Sequence, residues 1–443
     1  MFARDSRALD LLDAAHREQT ELDDHGYAKD AVDRQQQLKL DALWDRAVQV
    51  PYYRELPAVA ARSLERLPVT PKSALKADPW AFVRSDAEVA SFHKYYESSG
   101  STGSPTPTPR LVEDAVWNTA SVASLWRRTL RPGDRVASLL PSDVAPVGDL
   151  VASVAEYLDC TLLRSYPFSQ GMCDWDRLEE LFTRYRPQHV FAAPGVIIQW
   201  TRILKQRRRL EAVRESVESL MLLGEVSTPA LRSRLALEWD ARALDASYGS
   251  TETGTIAASC EHDRLHVLLP GQFVELWDGE RATPLEPGRS GELVTTTLNN
   301  FARPLLRYGT GDLVTADVGT DCRCGVALPT LTVHGRESDG ISVHGVPVSV
   351  AEVESVVYQE PGVTGYLIQL VRPEGHRARL VLERDVDFDG DEQALCDDVR
   401  ERFAGHGLLW DQVVLVGQLP TLTKAGGSQK NWKRTNVQWV EPS

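Results

Sequence analysis

The stretch Tyr95–Arg110, YYESSGSTGSPTPTPR, carries only hydroxyl side chains and glycine from Ser98 to Gly103. Such a loop exposes backbone N–H groups and hydroxyls with little side-chain bulk, which suits it to cradle phosphate. No lysine follows Gly103, so the G-x-x-x-x-G-K-[ST] phosphate loop is absent. Taken alone, Ser98, Ser99, Gly100, Ser101, Thr102 and Gly103 read rather as a Ser/Gly linker. The strand-like FHKYYE before them and a helical pattern after them favour a nucleotide loop instead. In LDASYGSTETG, Tyr248, Gly249, Thr251 and Glu252 bring together a ring, a hydroxyl and a carboxylate. That set offers a wall for a base and a hard oxygen ligand for Mg²⁺, although a plain polar turn fits equally well. In LLRYGTGDLV, Asp312 reads as a buried loop carboxylate able to accept from two ribose hydroxyls, against the default of a β-turn aspartate. Arg336 and Asp339 precede an amphipathic strand, a glycine turn and a helix starting near Ser349, the pattern of a domain junction or hinge.

A second constellation is metal-like. Cys260 and His266 lie in CEHDRLH, and Cys322 and Cys324 in CRCG. Three thiolates and an imidazole make a closed tetrahedral zinc set with no open position for catalysis. A β-hairpin could join the two pairs, and His262 competes with His266 for the histidine position.

These residues need elements to place them. At 443 residues, two or three domains are expected. With 42% apolar and 25% charged residues the composition is that of an ordinary globular protein. A net charge of −14 opposes a nucleic-acid partner. No apolar run has the length of a membrane span, and the charged N-terminus lacks the apolar core of a secretory signal. The chain therefore reads as cytoplasmic, its six cysteines as thiols or metal ligands rather than disulfides.

Residues 5–48 are helix-prone, and from 112 to 239 helical and strand patterns alternate. That alternation predicts a parallel sheet covered by helices. VIIQWTRILKQRRRLEAVRES reads as one helix, its basic run as a solvated face. Past Tyr248 the pattern becomes β-rich, and from about Gly335 a smaller α+β unit follows. The fold class is α/β.

Taken in chain order, these segments resemble the adenylate-forming superfamily of acyl-CoA synthetases, luciferases and peptide-synthetase adenylation domains. Within it they are most similar to the phenylacetate-CoA ligase and coenzyme F390 synthetase branch. The resemblance rests on VPYYRELP…LERLPVTPKSAL, ESSGSTGSPT, LLGEVSTPALR, YGSTETG, RYGTGDL, CRCG and GRESDGISVHG, and spans nearly the whole chain. It implies an ATP- and acid-binding domain over 1–335 and a small mobile domain over 336–443 carrying the catalytic lysine. By the same resemblance Ser98 to Gly103 hold the ATP phosphates, and Gly224, Glu225, Ser247, Tyr248 and Gly249 contact adenine. Glu252 matches the Mg²⁺ ligand and Asp312 the ribose ligand. Arg336 matches a nucleotide contact and Asp339 the hinge.

The tail departs from the family pattern. PTLTKAGGSQKNWKRT offers Lys424, Lys430 and Lys433, none directly after a glycine. Lys430, beyond the Gly426-Gly427 turn, is the preferred catalytic lysine, with Thr251 and Glu252 as the other catalytic candidates.

The implied reaction joins a carboxylic acid to AMP from ATP and passes the acyl group to a thiol of CoA or a carrier protein. ATP and Mg²⁺ are expected, with structural Zn²⁺, and a homodimer is compatible with the sequence. Ala192, Ala193, Pro194 and Gly195 leave room for a flat ring, which favours an aryl acid. Two other readings stay open. One is an amine acceptor or a small non-carboxylic oxyacid; the other is a nucleotide-binding homologue that has lost catalysis.

Overall fold

Helix-forming and β-forming stretches separate along this chain much as their periodicity predicts. A computed structural model describes residues 6–86, 91–98, 105–169, 171–319, 322–336, 340–371, 377–420 and 435–441. It is a mixed α/β fold, and no helix among the described residues is long and apolar enough to cross a membrane. Contacts divide it into two units, Met1–Arg164 with Leu244–Gly335, and Ser165–Ala243 with Arg336–Ser443. A break thus falls after Gly335, while Ser165–Ala243 groups with the C-terminal residues.

In the first unit the helix Val112–Trp126 is buried along most of its length. Its N-terminus is fixed by Asp114, whose carboxylate accepts from the backbone N–H groups of Leu111 (2.6 Å) and Phe301. Its far end is fixed by Trp126, whose indole donates to Ala246 O at 2.9 Å. The helix packs on Ser6–Asp24. An antiparallel run of strands follows the order Ala282–Pro284, Gln272–Trp277, Ser290–Thr297, Tyr308–Asp317, Thr330–Arg336, Leu265–Val267, Gly254–Ser259, Arg242–Ser250. The strands Arg135–Ser138 and Thr161–Arg164 pair in parallel through the helix Pro146–Tyr157, as βαβ geometry requires. A separate apolar cluster of Leu43, Trp44, Val50, Tyr53 and Phe82 closes over Leu305, Leu306 and Tyr308. It fixes the start of the Tyr308–Asp317 strand.

The Ser/Gly loop does not run from strand directly to helix. Lys94–Glu97 pairs antiparallel with Pro107–Arg110, so the loop is the tip of a hairpin that precedes the helix. Pro107 and Pro109 are tolerated because this is a two-stranded ribbon, where a missing N–H can face away from the partner.

In the second unit, His189–Ala192 and Ser219–Leu223 pair in parallel. The single helix expected between them is interrupted. It runs Pro194–Gln206, stops at Arg208 with φ +54°, and resumes as Leu210–Arg214. The C-terminal sheet has the order Gln412–Val416, Ala378–Arg384, Val363–Val371, Val437–Val440. Its helix Val350–Val357 begins with a capping box between Ser349 and Glu352.

Charged contacts hold this sheet to the helices Pro194–Gln206 and Pro229–Trp239. Arg202 meets Glu383 at 3.1 Å, and Lys205 meets both Glu238 (3.2 Å) and Asp385. Enclosed ion pairs of this kind add little net stability, but removing one partner costs about 3–5 kcal/mol.

Candidate functional site

The hairpin Arg242–Ser250/Gly254–Ser259 builds the first half of the predicted machinery. Its register shifts between Tyr248 and Gly249. A Cβ on Gly249 would stand 2.3 Å from Gly254 O, so only glycine lets the strands close there. Ser250 and Thr253 tie the tip by mutual hydrogen bonds at 3.1–3.2 Å. This tip turns Glu252 inward, where it is buried. Arg110 donates to Thr251 O (2.8 Å) and Glu252 O (3.3 Å), and Asn300 donates to Glu252 O at 3.3 Å. Burial alone would raise the Glu252 pKa, yet Lys72 and Arg303 beside it, with a bond from Ser250, hold it below the usual carboxylate range. Glu252 is therefore an enclosed, ionised carboxylate, a suitable oxygen donor for a hard divalent cation.

Asp312 lies in the strand Tyr308–Asp317 and is half-buried, not on a buried loop as expected. The TGD run stays in the strand, paired with Ser290–Thr297 across a register shift between Glu292 and Val294, while Asp312 N donates to Thr310 Oγ1 and Thr310 Oγ1 donates to Leu293 O. The Tyr248 hydroxyl donates to Asp312 Oδ2 at 2.9 Å. Two motifs 64 residues apart in sequence are thus joined, and the phenol fixes the carboxylate's orientation. Ser247 lies in the same strand as Tyr248 and pairs with Ala258. Ser98 closes the neck of the Ser/Gly hairpin: its N–H donates to Thr106 O (3.1 Å) and its Oγ accepts from Thr106 N (2.9 Å). Ser99, Gly100, Ser101, Thr102 and Gly103 lie outside the described residues.

In the second unit, Gly224 follows the strand Ser219–Leu223 with φ +88°, a conformation that favours glycine. Glu225 next to it accepts from Gly195 N at 3.4 Å. Ala192 and Ala193 are fully buried, and Pro194 and Gly195 open the helix Pro194–Gln206. Two segments assigned to base and acid recognition are thus adjacent. Arg336 ends the strand Thr330–Arg336, half-buried. Asp339, Lys424, Lys430 and Lys433 lie outside the described residues.

The sequence reading missed the cations around Glu252. Arg110 and Arg303 are buried, and Arg303 donates to Pro107 O and to Thr108 Oγ1 at 2.8 Å. Burial lowers the Arg303 guanidinium to about 10, which leaves it charged at neutral pH. Lys72 stands in PKSAL, a segment that carries no chemical pattern of its own. Only the charge demand of an enclosed Glu252 could have pointed to partners from distant segments.

The Cys/His constellation also forms. The ligand atoms of Cys260, His266, Cys322 and Cys324 all lie within 4.8 Å of one another. Cys260 and His266 belong to one hairpin, closed by Cys260 N donating to Arg264 O at 3.1 Å. CRCG is brought in by the next strand, whose Thr330 pairs with His266. The Cys260 and Cys322 sulfurs are 3.7 Å apart, too far for a disulfide and close to the roughly 3.8 Å edge of a zinc–thiolate tetrahedron. His266 Nδ1 pairs with Leu328 O at 3.0 Å, which leaves Nε2 facing Cys324 Sγ at 3.3 Å. Backbone N–H groups of His262 and Val326 donate to the Cys260 and Cys324 sulfurs, each at 3.4 Å. His262 contributes that N–H but no ring nitrogen to the group.

The model of the AMP-binding enzyme family matches residues 71–302, and this chain belongs to that family. A phenylacetate-coenzyme A ligase of Thermus thermophilus is 30% identical over 376 residues, covering 80% of this chain and 81% of that protein. One from Aromatoleum evansii is 25% identical over 355 residues, covering 76% and 77%. A 2-hydroxyisobutyryl-CoA ligase, crystallised with 2-HIB-AMP in the postadenylation state, matches with a TM-score of 0.78. At 18% identity over 94% of this chain and 90% of that one, it speaks for the fold alone.

Proposed function

We propose that this protein is an ATP-dependent, AMP-forming ligase that activates a carboxylic acid as its acyl-adenylate and transfers the acyl group to CoA. The observation that carries the reading is the enclosed, ionised Glu252 on the same hairpin as the Tyr248–Asp312 bond, in a member of the AMP-binding family. An aryl acid is favoured by the phenylacetate-CoA ligase relatives and by the small residues Ala192, Ala193 and Gly195.

In the first half-reaction a carboxylate oxygen bonds to the α-phosphorus, the bond to the bridging oxygen breaks, and pyrophosphate leaves with that electron pair. Little covalent chemistry is asked of the protein, which positions the reactants and stabilises charge. Glu252 would hold Mg²⁺, which supplies charge neutralisation on the phosphoryl oxygens. Asp312, oriented by Tyr248, accepts from ribose hydroxyls. Ser247, Tyr248 and Gly249 contact the base, a role that the resemblance gives to Gly224 and Glu225 as well. Ser98 to Gly103 hold the phosphates, and Arg336 makes a further nucleotide contact. Residues 336–443 form the small domain, which turns about Asp339 to bring in Lys430 for adenylation and withdraw it for thioester formation.

Cys260, His266, Cys322 and Cys324 would hold a structural zinc ion. Spacing, the His266 Nε2 turned toward Cys324 Sγ and the N–H···S bonds fit it, and all four ligands come from the protein, so no step of the reaction passes through it.

The test is ATP–pyrophosphate exchange across a panel of acids, with and without CoA. An aryl acid should drive exchange without CoA, and CoA should divert the adenylate to thioester. No acid-dependent exchange with any carboxylic acid would refute the reading.

A further inference from the structure

We propose that Lys72 is a fixed catalytic cation of the nucleotide site, its ammonium directed at the phosphoryl oxygens that gain charge during adenylation. The inference rests on the ligase reading and deepens it, because no role for this lysine follows from the motifs.

Lys72 is delivered by a strand-like segment laid beside the strand Tyr308–Asp317. Thr70 forms a parallel bridge with Tyr308. Its N–H donates to Arg307 O at 2.8 Å, its hydroxyl to Leu306 O at 2.8 Å, and its carbonyl accepts from Gly309 N at 3.0 Å. Thr70 is buried, and its hydroxyl also meets the enclosed Tyr53 hydroxyl at 3.3 Å. Two residues further on, the helix Lys72–Ala77 begins. Lys72 Nζ donates to Thr310 O at 3.1 Å, within the Gly309-Thr310-Gly311 run that leads into Asp312. Among the charges acting on the Glu252 carboxylate, Lys72 is the strongest attraction. One side chain therefore serves both the ribose-side strand and the candidate Mg²⁺ ligand.

Exposure separates Lys72 from the other cations near Glu252. Arg303 is fully enclosed and Arg110 nearly so, and both, like Lys72, bond to the protein's own oxygens. Lys72 is half-exposed. An ammonium with rotatable donors at such an edge can turn a further donor to a phosphoryl oxygen, whereas an enclosed guanidinium cannot. Its mounting on a sheet-anchored segment means that no domain motion is needed to place it. A charge held in position before the reaction stabilises the transition state without reorganisation.

In the step itself Lys72 keeps its proton. The oxygen–phosphorus bond forms and the bond to the bridging oxygen breaks. The developing charge on the phosphoryl and pyrophosphate oxygens is met by the ammonium. Thioester formation from a finished adenylate releases AMP rather than pyrophosphate, so it depends on Lys72 far less.

The experiment uses the full chain and an acid on which the wild type shows exchange. Lys72→Ala and Lys72→Gln should lower acid-dependent exchange roughly a hundredfold. Thioester formation from separately prepared acyl-adenylate should stay within about threefold, and Lys72→Arg should keep more exchange than Lys72→Gln because it keeps the charge. Added methylamine should restore exchange to Lys72→Ala in a saturable way, which a purely structural tie to Thr310 would not allow. Lys76→Ala, on the exposed side of the same short helix, should match the wild type. Exchange within threefold of wild type in Lys72→Gln overturns the inference. So does equal loss of both half-reactions without amine rescue. A wild type without exchange on any acid refutes the ligase reading itself, a result separate from failure of Lys72 alone.

Discussion

The first unit holds two polar clusters that solve opposite problems. The Cys/His group is closed: three of its four ligands are held by nearby backbone, from His266 Nδ1 on Leu328 O to the N–H groups on the Cys260 and Cys324 sulfurs. The Glu252 group gathers a carboxylate with cations from three distant segments, and Lys72 and Asp312 at its edge are half-exposed. A closed set supports the fold, while a charged set with an exposed edge can receive a ligand. Disturbing the first should therefore cost stability, and disturbing the second should cost rate.

The largest effect is expected at Glu252. Glu252→Ala should reduce acid-dependent pyrophosphate exchange by a hundredfold or more, about 3 kcal/mol in the transition state, with zinc content unchanged. Exchange near the wild-type rate would remove Glu252 from the chemistry and collapse the distinction between the clusters.

Metal analysis and melting test the closed side. Purified protein should hold about one zinc per chain. Chelation or Cys324→Ser should remove roughly 3 kcal/mol or more of stability, several degrees in Tm, while ATP affinity at sub-melting temperature stays unchanged. Zinc-free protein with unaltered melting on Cys324→Ser would refute the assignment.

Glu354 in the second unit sharpens the contrast, since it too is enclosed. Thr228 donates to one of its oxygens and Tyr366 to the other at 3.1 Å. Burial pushes its carboxyl up to about 7, and the Glu225 carboxylate adds to the rise against the hydrogen bonds from Thr228 and Tyr366. A group that binds its proton more tightly when folded stabilises the protein most below its unfolded pKa of about 4.5, and that stability fades as pH rises through about 7. Glu354→Gln should flatten this decline, by about 3 kcal/mol at most between pH 5 and 8. An unchanged pH profile of denaturant unfolding would show that Glu354 does not titrate there.

The smallest effect is expected for Tyr248→Phe. Losing one hydrogen bond to Asp312 should raise KM for ATP roughly fivefold, about 1 kcal/mol, with little change in kcat. A drop in kcat with KM unchanged would place Tyr248 at the reacting phosphate instead.

How far each cluster could be read from the sequence follows from how it is built. CEHDRLH and CRCG carry metal spacing locally, and only one strand pairing, Thr330 with His266, was needed to unite them. YGSTETG and TGD were legible as chemistry because glycine, hydroxyl and carboxylate crowd into short runs. That Tyr248 touches Asp312 was not, because the bond spans separate strands. Nor was Asp312's place in a strand, since Gly-Thr-Gly reads as a turn while Thr310 here bonds back to Leu293. Lys72, Arg110 and Arg303 were invisible, because a cation serving a remote carboxylate leaves no periodicity. The alternation of helix and strand was plain, whereas the stop at Arg208 lay inside an unbroken helical pattern.

The most direct test of the central claim is the identity of the nucleotide product. Purified protein given ATP, Mg²⁺, CoA and an aryl acid such as phenylacetate, followed by anion-exchange separation, should form AMP and pyrophosphate in equal amounts, matched by acyl-CoA. ADP with inorganic phosphate, formed in step with acyl-CoA, would contradict attack at the α-phosphorus and with it the roles given to Glu252, Asp312 and Lys72.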